Sequence, residues 1–287
     1  GIDLPGDLLR FWKYADEPMC EFWSPFDDAN GYVTSHNFKP VRPCVSAAHL
    51  YGKRRVSAEA FTSLRLTFDE TLQTLKEDAN VHLCRGVTHL VFHTYTHNPV
   101  VGGLPPGSSF GCGIGTPFLR RQTWWPFLSG LTRYLAVCGH ELERGKPVVD
   151  VLWYLGDALG HKPDERGDRL GPGYKCDYLN RDVLETRLDV REGRFVLPDG
   201  MSYRVLWIPA GTYLLPETER RLAALAAKGG RIVRGDFTPD WAPDVAGAPH
   251  WYHRRDGDES IYFLANFRTP FKGVVRLRDW AEPIALE

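Results

Sequence analysis

Two glutamates in this 287-residue chain interrupt apolar runs that read as β-strands: Glu21 in MCEFW (19–23) and Glu59 in RVSAEAFT (55–62). In a parallel α/β barrel, a carboxylate at the C-terminal end of a strand faces the pocket and suits proton transfer. Cleavage of a glycosidic bond needs two such acids facing one scissile centre. Each glutamate also reads as half of a structural ion pair with a nearby arginine, and the pattern leaves both readings open. A third cluster, VFHTYTHNP (91–99), ends a strand with His93, Tyr95, His97 and Asn98 at one rim. Sugar hydroxyls ask for such a mixture of donors and acceptors with aromatic faces beside it. Any one of these residues alone reads equally as a loop cap. Trp124 and Trp125 follow a Gly/Pro-rich stretch (98–116) and offer either a stacking wall or an anchor for the next helix. The anchor role suits Trp125 better.

Other chemistries find less support. The glycines of GCGIG (111–115) lack nucleotide-binding spacing, and there is no G-x-S-x-G elbow for a serine nucleophile. Cys20, Cys44, Cys84, Cys112, Cys138 and Cys176 form no C-x-x-C pair, so a zinc site is not expected. Asp150 and Asp157 bracket an apolar strand; the first reads as structural, the second as a strand-exit residue able to face a cleft. With 35 basic against 36 acidic side chains, the chain has no electrostatic footprint for nucleic acid. Its 9 Trp, 12 Tyr and 15 Phe exclude a disordered chain. No run of about 18 apolar residues is present to span a membrane.

The elements that must position these residues alternate. Strands at 19–23, 55–62 and 87–93 are separated by helices at 41–51 and 68–84, and a helix at 124–144 follows. This order predicts parallel α/β units over 1–145. Within 146–240, strands at 148–156, 204–209 and 231–234, helices near 181–187 and at 216–228, and a hairpin at Asp199-Gly200 predict a small doubly wound α/β domain. Strands at 261–267 and 273–277 predict the beginning of a β-sandwich over 248–287.

The segments ADEPMCEFW (15–23), VSAAHLYGKRRVSAEAFTS (45–63), HLVFHTYTHNP (89–99), QTWWPFLSGLTRYL (122–135), GKPVVDVLWYLGD (145–157) and DGMSYRVLWIP (199–209) together resemble the family 106 glycoside hydrolases, the α-L-rhamnosidases. The resemblance implies a (β/α)₈ barrel, an α/β domain similar to that of family 42 β-galactosidases, and β-sandwiches. It implies inverting hydrolysis of terminal deoxy-sugars on a glycan, a calcium ion at the site, and an extracellular or periplasmic setting. Carried over by motif, Glu59 matches the general base. Glu21 matches a site carboxylate for calcium or substrate, and His93 and His97 line the sugar pocket. In such enzymes the general acid lies on an earlier strand, yet only about 14 residues precede the first matching segment. The expectation is therefore a fragment: the C-terminal half of a barrel, an α/β domain and the start of a sandwich. The alternative is a noncatalytic carbohydrate-binding remnant. An amidotransferase-like module is disfavoured, because no cysteine after a strand has a histidine partner downstream in the usual manner.

Overall fold

The computed structural model describes residues 6–24, 40–63, 68, 70–95, 114–159 and 169–284. A short helix α1 (Leu8–Lys13) precedes three parallel strands paired in chain order: β1 (Met19–Trp23), β2 (Ser57–Thr62) and β3 (His89–Phe92). Helices α2 (Val41–Leu50) and α3 (Leu72–Leu83) link them, and α4 (Leu128–Leu142) follows. The period-two alternation of a strand divides these residues between two faces. Cys20, Phe22, Ala58 and Ala60 are buried on one face, in a core shared with Leu75, Ala79 and Leu83 of α3. Met19, Glu21, Glu59, His89 and Val91 alternate with them and remain partly or largely exposed. The expected helix at 124–144 is a 3₁₀ turn at Trp125–Phe127 before α4, because Pro126 suits a first turn but not a helix interior.

Helix α3 starts where Thr71 and Thr74 satisfy each other's backbone N–H groups reciprocally. Near its end His82 is fully buried, its ring stacked on Phe22 at 3.8 Å and its Nδ1 2.6 Å from the Asp78 carbonyl. Burial, reinforced by the Arg85 charge, holds its pKa well below the ordinary 6.5. The unfolded chain therefore binds a proton between that lowered value and 6.5 that the native chain refuses. Stability from this group is complete above 6.5 and is lost as the pH falls below it, by at most about 1.4 kcal/mol per pH unit. Urea titrations from pH 7 to 5 are expected to show this slope, and His82→Gln should flatten it; an unchanged slope would assign the titration to another group.

A second sheet has four strands, all parallel. Its first strand in the chain, β5 (Val151–Tyr154), lies inside it, after β4 (Lys146–Pro147). Next come β6 (Cys176–Leu179) and α5 (Arg181–Thr186), then an antiparallel meander of β7 (Asp189–Arg191), β8 (Arg194–Val196) and β9 (Ser202–Tyr203). The sheet is completed by β10 (Val205–Ile208), α6 (Pro216–Ala227) and β11 (Ile232–Arg234). The order across this sheet is β11-β10-β5-β6, so strand order reverses between β5 and β10. The C-terminal part holds β12 (Val245–Ala246), the hairpin β13 (His250–Asp256) and β14 (Glu259–Ala265), and β15 (Arg276–Leu277), which pairs with β12. Lys146 and Pro147 pair with β13, so β4 joins this hairpin rather than the parallel sheet.

Helix α2 packs on β1 and on β6, and is buried around nearly its whole circumference. That explains its composition: Ser46, Ala47 and Ala48 allow close approach, and the Ser46 hydroxyl accepts the Tyr178 N–H at 3.0 Å. At its end, His49 Nδ1 lies 2.9 Å from both Asp177 oxygens, and its Nε2 lies 3.0 Å from the Tyr252 hydroxyl. Tyr203 donates to Asp177 at 2.9 Å. One buried polar cluster thus ties α2, β6, β9 and β13 together.

Candidate active site

Parallel pairing of β1 and β2 sets Glu21 directly opposite Glu59, and β3 continues the row with Val91. Opposite residues on neighbouring strands share a face, with backbones about 4.8 Å apart. The chain thereby brings its two candidate carboxylates side by side on the exposed face. The local geometry of β2 then departs from a regular strand. Its register with β1 shifts so that Trp23 pairs with Thr62, and Phe61 adopts φ 68°. A bulge of this kind re-aims side chains, and a left-handed phenylalanine persists only where its surroundings enforce it. Here Thr116 supplies that enforcement: its N–H and its hydroxyl both donate to the Phe61 carbonyl, at 3.3 and 2.7 Å.

The consequence is that Thr62, which regular alternation would turn away from Glu59, donates its hydroxyl to Glu59 Oε1 at 2.7 Å. His93 Nδ1 lies 3.3 Å from the same hydroxyl and 3.9 Å from Oε1. With its proton given to Glu59, the Thr62 oxygen is left to accept from His93 Nδ1–H. Among the described residues Glu59 Oε2 receives no donor, and the side chain keeps 35% of its exposure. The carboxylate is held at one oxygen and open at the other. Gly115 completes the wall beside His93: at φ +92°, any side chain there would begin 3.0 Å from His93 Nδ1.

Tyr95 is half exposed and stands beside Trp125, ring centroids 6.2 Å apart. Trp124 faces inward instead. Its indole N–H donates to the Glu70 carbonyl at 3.0 Å, and its ring meets Phe118 edge-on. The anchor and the open aromatic therefore fall to Trp124 and Trp125 respectively, the reverse of the assignment favoured on sequence. His97 and Asn98 lie outside the described residues. Asp157 lines a cavity of about 400 Å³ at the strand exit, as expected, but its unexposed carboxylate is spent on structure: its oxygens accept from Tyr154, Thr218 and the Leu215 N–H, which seats the start of α6. Asp150 is structural, held by Arg204 and Arg278.

Sequence reasoning missed a second cluster on the same sheet face, at the N-terminal strand ends. Ser57 donates to Glu17, and His89 Nδ1 lies 2.7 Å from Ser57 and 3.1 Å from Glu17. The Ser57 hydrogen bond, with the His89 and Arg55 charges, holds the Glu17 carboxyl below its usual range. Serine and acid both approach one ring nitrogen, so no nucleophile relay is formed. The five described cysteines are buried and free, and burial pushes the Cys84 thiol up to about 12. No three His, Cys, Asp or Glu side chains converge among the described residues. Calcium takes six to eight oxygens, more than the adjacent Glu21 and Glu59 carboxylates supply by themselves.

A family model described as alpha-L-rhamnosidase, glycoside hydrolase family 106, matches residues 1–249. A protein of Formosa agariphila called putative beta-glucuronidase is 31% identical over 232 residues, covering 80% of this chain and 19% of its own length. The structure of a rhamnosidase from Novosphingobium sp. PP1Y is similar with a TM-score of 0.76 at 23% identity. That match covers 89% of this chain and 30% of the other, and it shows a shared fold. The chain thus spans about a fifth of the curated relative it matches and under a third of the structural one.

Proposed function

The chain belongs to glycoside hydrolase family 106, the alpha-L-rhamnosidases, and from that membership we propose that its first sheet carries the water-activating side of an inverting glycosidase. One observation carries the reading: Glu59 is fixed through Oε1 by Thr62 while Oε2 is open toward the exposed face. A carboxylate so held can take a proton from water in one direction only. In the proposed step a water O–H bond breaks as its proton passes to Glu59 Oε2. The water oxygen bonds to the anomeric carbon from the face opposite the leaving group, and the C–O bond to the aglycone breaks. The leaving oxygen takes its proton from a second acid that lies outside the described residues. Glu21, adjacent in register, accepts hydrogen bonds from sugar hydroxyls and orients the ring. His93 holds the Thr62 hydroxyl in place, and Tyr95 with Trp125 offers the sugar an aromatic face. Three consecutive β/α units would then be part of a barrel whose strand ends form the pocket.

The sugar is the open choice, since the family description names rhamnose and the curated relative's name points to glucuronic acid. Aryl α-L-rhamnoside and aryl β-glucuronide, offered in parallel to the native protein, separate the two. We expect release from the rhamnoside with the opposite anomeric configuration in the first product, read by proton NMR. Release from neither would leave a sugar-binding module and sink the hydrolase reading.

The aromatic pair gives a separable expectation. Loss of one stacking face costs about 1 kcal/mol of binding, or roughly fivefold to tenfold. Tyr95→Ala and Trp125→Ala should each raise KM by about that factor with kcat within twofold. Trp124→Ala should instead lower the melting temperature, because its indole is tied to the Glu70 carbonyl. A KM effect confined to Trp124 would reverse the assignment.

A further inference from the structure

Opposite the C-terminal strand ends of the second sheet is a cleft of about 660 Å³ between the β8–β9 meander and the β13–β14 hairpin. Its carboxylates are all engaged by arginine. Asp150, on the floor, accepts from Arg204 Nε at 2.9 Å and Arg278 Nη2 at 2.5 Å, and Trp241 donates to it as well. Asp279 is taken by Arg255, and Asp256 pairs with Arg144 at 3.2 Å. Two cations on the lining are left over. Arg194 bonds only Ser202, through Nε to the hydroxyl at 2.6 Å and Nη2 to the carbonyl at 3.3 Å. Among the described residues it meets no carboxylate within 4 Å, and neither does Lys146.

The placement of Arg194 is costly by itself. The β8–β9 register pairs Phe195 with Tyr203 and Val196 with Ser202, which sets Arg194 across from Arg204 on one face. Like charges opposite each other destabilise a strand pair. Burial, and after it the Arg204 charge, lower the Arg194 pKa from its ordinary value, with Asp150 opposing the shift in part and Arg278 adding to it. Lys146 lines the same cleft and packs on Gly200: at φ +90°, a Cβ there would sit 3.0 Å from Lys146 Cε. A half-buried guanidinium with no ion pair of its own, in a cleft whose lining carries more cations than carboxylates, suits an anion from outside.

We propose that this cleft is an oxyanion-binding site, in which the free edge of Arg194 and the Lys146 ammonium receive a carboxylate or sulfate group and Ser202 lies beside them. The inference stands independently of the hydrolase reading, since neither Glu59 nor Glu21 takes part. The same chemistry is presented by inorganic sulfate and by the carboxylate of a uronic acid. Calorimetric titration of the full chain at constant ionic strength, with sodium sulfate, sodium glucuronate and glucose as probes, tests it. Both anions are expected to bind and glucose not. Sulfate binding at least as tightly as glucuronate would assign recognition to the oxyanion alone; tighter glucuronate would show that the sugar ring is read too. Arg194→Gln should weaken binding tenfold or more. Lys146→Gln, which removes an exposed charge and keeps the backbone pairing of β4 with β13, should weaken it severalfold and serves as the control if the arginine variant unfolds. Absence of heat from both anions, or affinities unchanged in both variants, would overturn the proposal.

Discussion

Under the proposed hydrolase function, replacing Glu59 by glutamine is expected to lower kcat of the native protein by about 10²–10⁴-fold, with KM and melting temperature nearly unchanged. The magnitude is that of a positioned general base, equivalent to about 3–5 kcal/mol of transition-state stabilisation. The selectivity follows from the site. Glutamine keeps the shape, and its carbonyl oxygen still accepts from Thr62, so the contact that fixes Glu59 Oε1 at 2.7 Å survives. What disappears is the basic oxygen on the open side. Steady-state kinetics beside a thermal melt separates the outcomes: a fall in melting temperature at constant kcat would make Glu59 a structural partner of His93 and Thr62 instead.

The second large effect concerns folding. Asp177→Ala should destabilise the chain by about 3–5 kcal/mol in urea unfolding at pH 7. Asp177 is 2% exposed, and its oxygens are shared between His49 and Tyr203. Removing it strands two buried donors, one on α2 and one on β9, and an unmet buried donor costs far more than the net gain of an average hydrogen bond. His49→Ala should cost nearly as much, and the double variant much less than the sum, because both break one network. Additive losses would show that the two residues act separately.

How far these residues were legible in the sequence follows from the physics at each. Helix α3 and helix α6 lie within the expected 68–84 and 216–228, because apolar spacing and capping chemistry are local. Strand β6 was invisible. Its sequence CDYL places an acid in its midst, and that acid is tolerated only because His49, 128 residues away in sequence, meets it. Strand β13 was missed for a similar reason: HWYHRRD looks polar, yet His253 is buried against Asp244 and Arg254 donates to the Arg144 and Gly145 carbonyls. At the site, Glu21 and Glu59 stood out as acids in apolar runs, and their pairing followed from consecutive parallel strands. Thr62 did not stand out, because only the bulge at Phe61 turns it toward Glu59, and that bulge depends on Thr116 from a distant segment.

The central claim is that Glu59 deprotonates the attacking water, and chemical rescue addresses it most directly. Azide is an anionic nucleophile that needs no base, and Glu59→Ala opens space beside Thr62 for it. The measurement is turnover of an activated aryl α-L-rhamnoside by Glu59→Ala with rising azide, the first product being identified by NMR. If Glu59 is the base, azide restores turnover and the product is a glycosyl azide of inverted anomeric configuration. If turnover stays flat with azide while the variant remains folded, or the azide product retains its configuration, Glu59 is not the base of an inverting reaction.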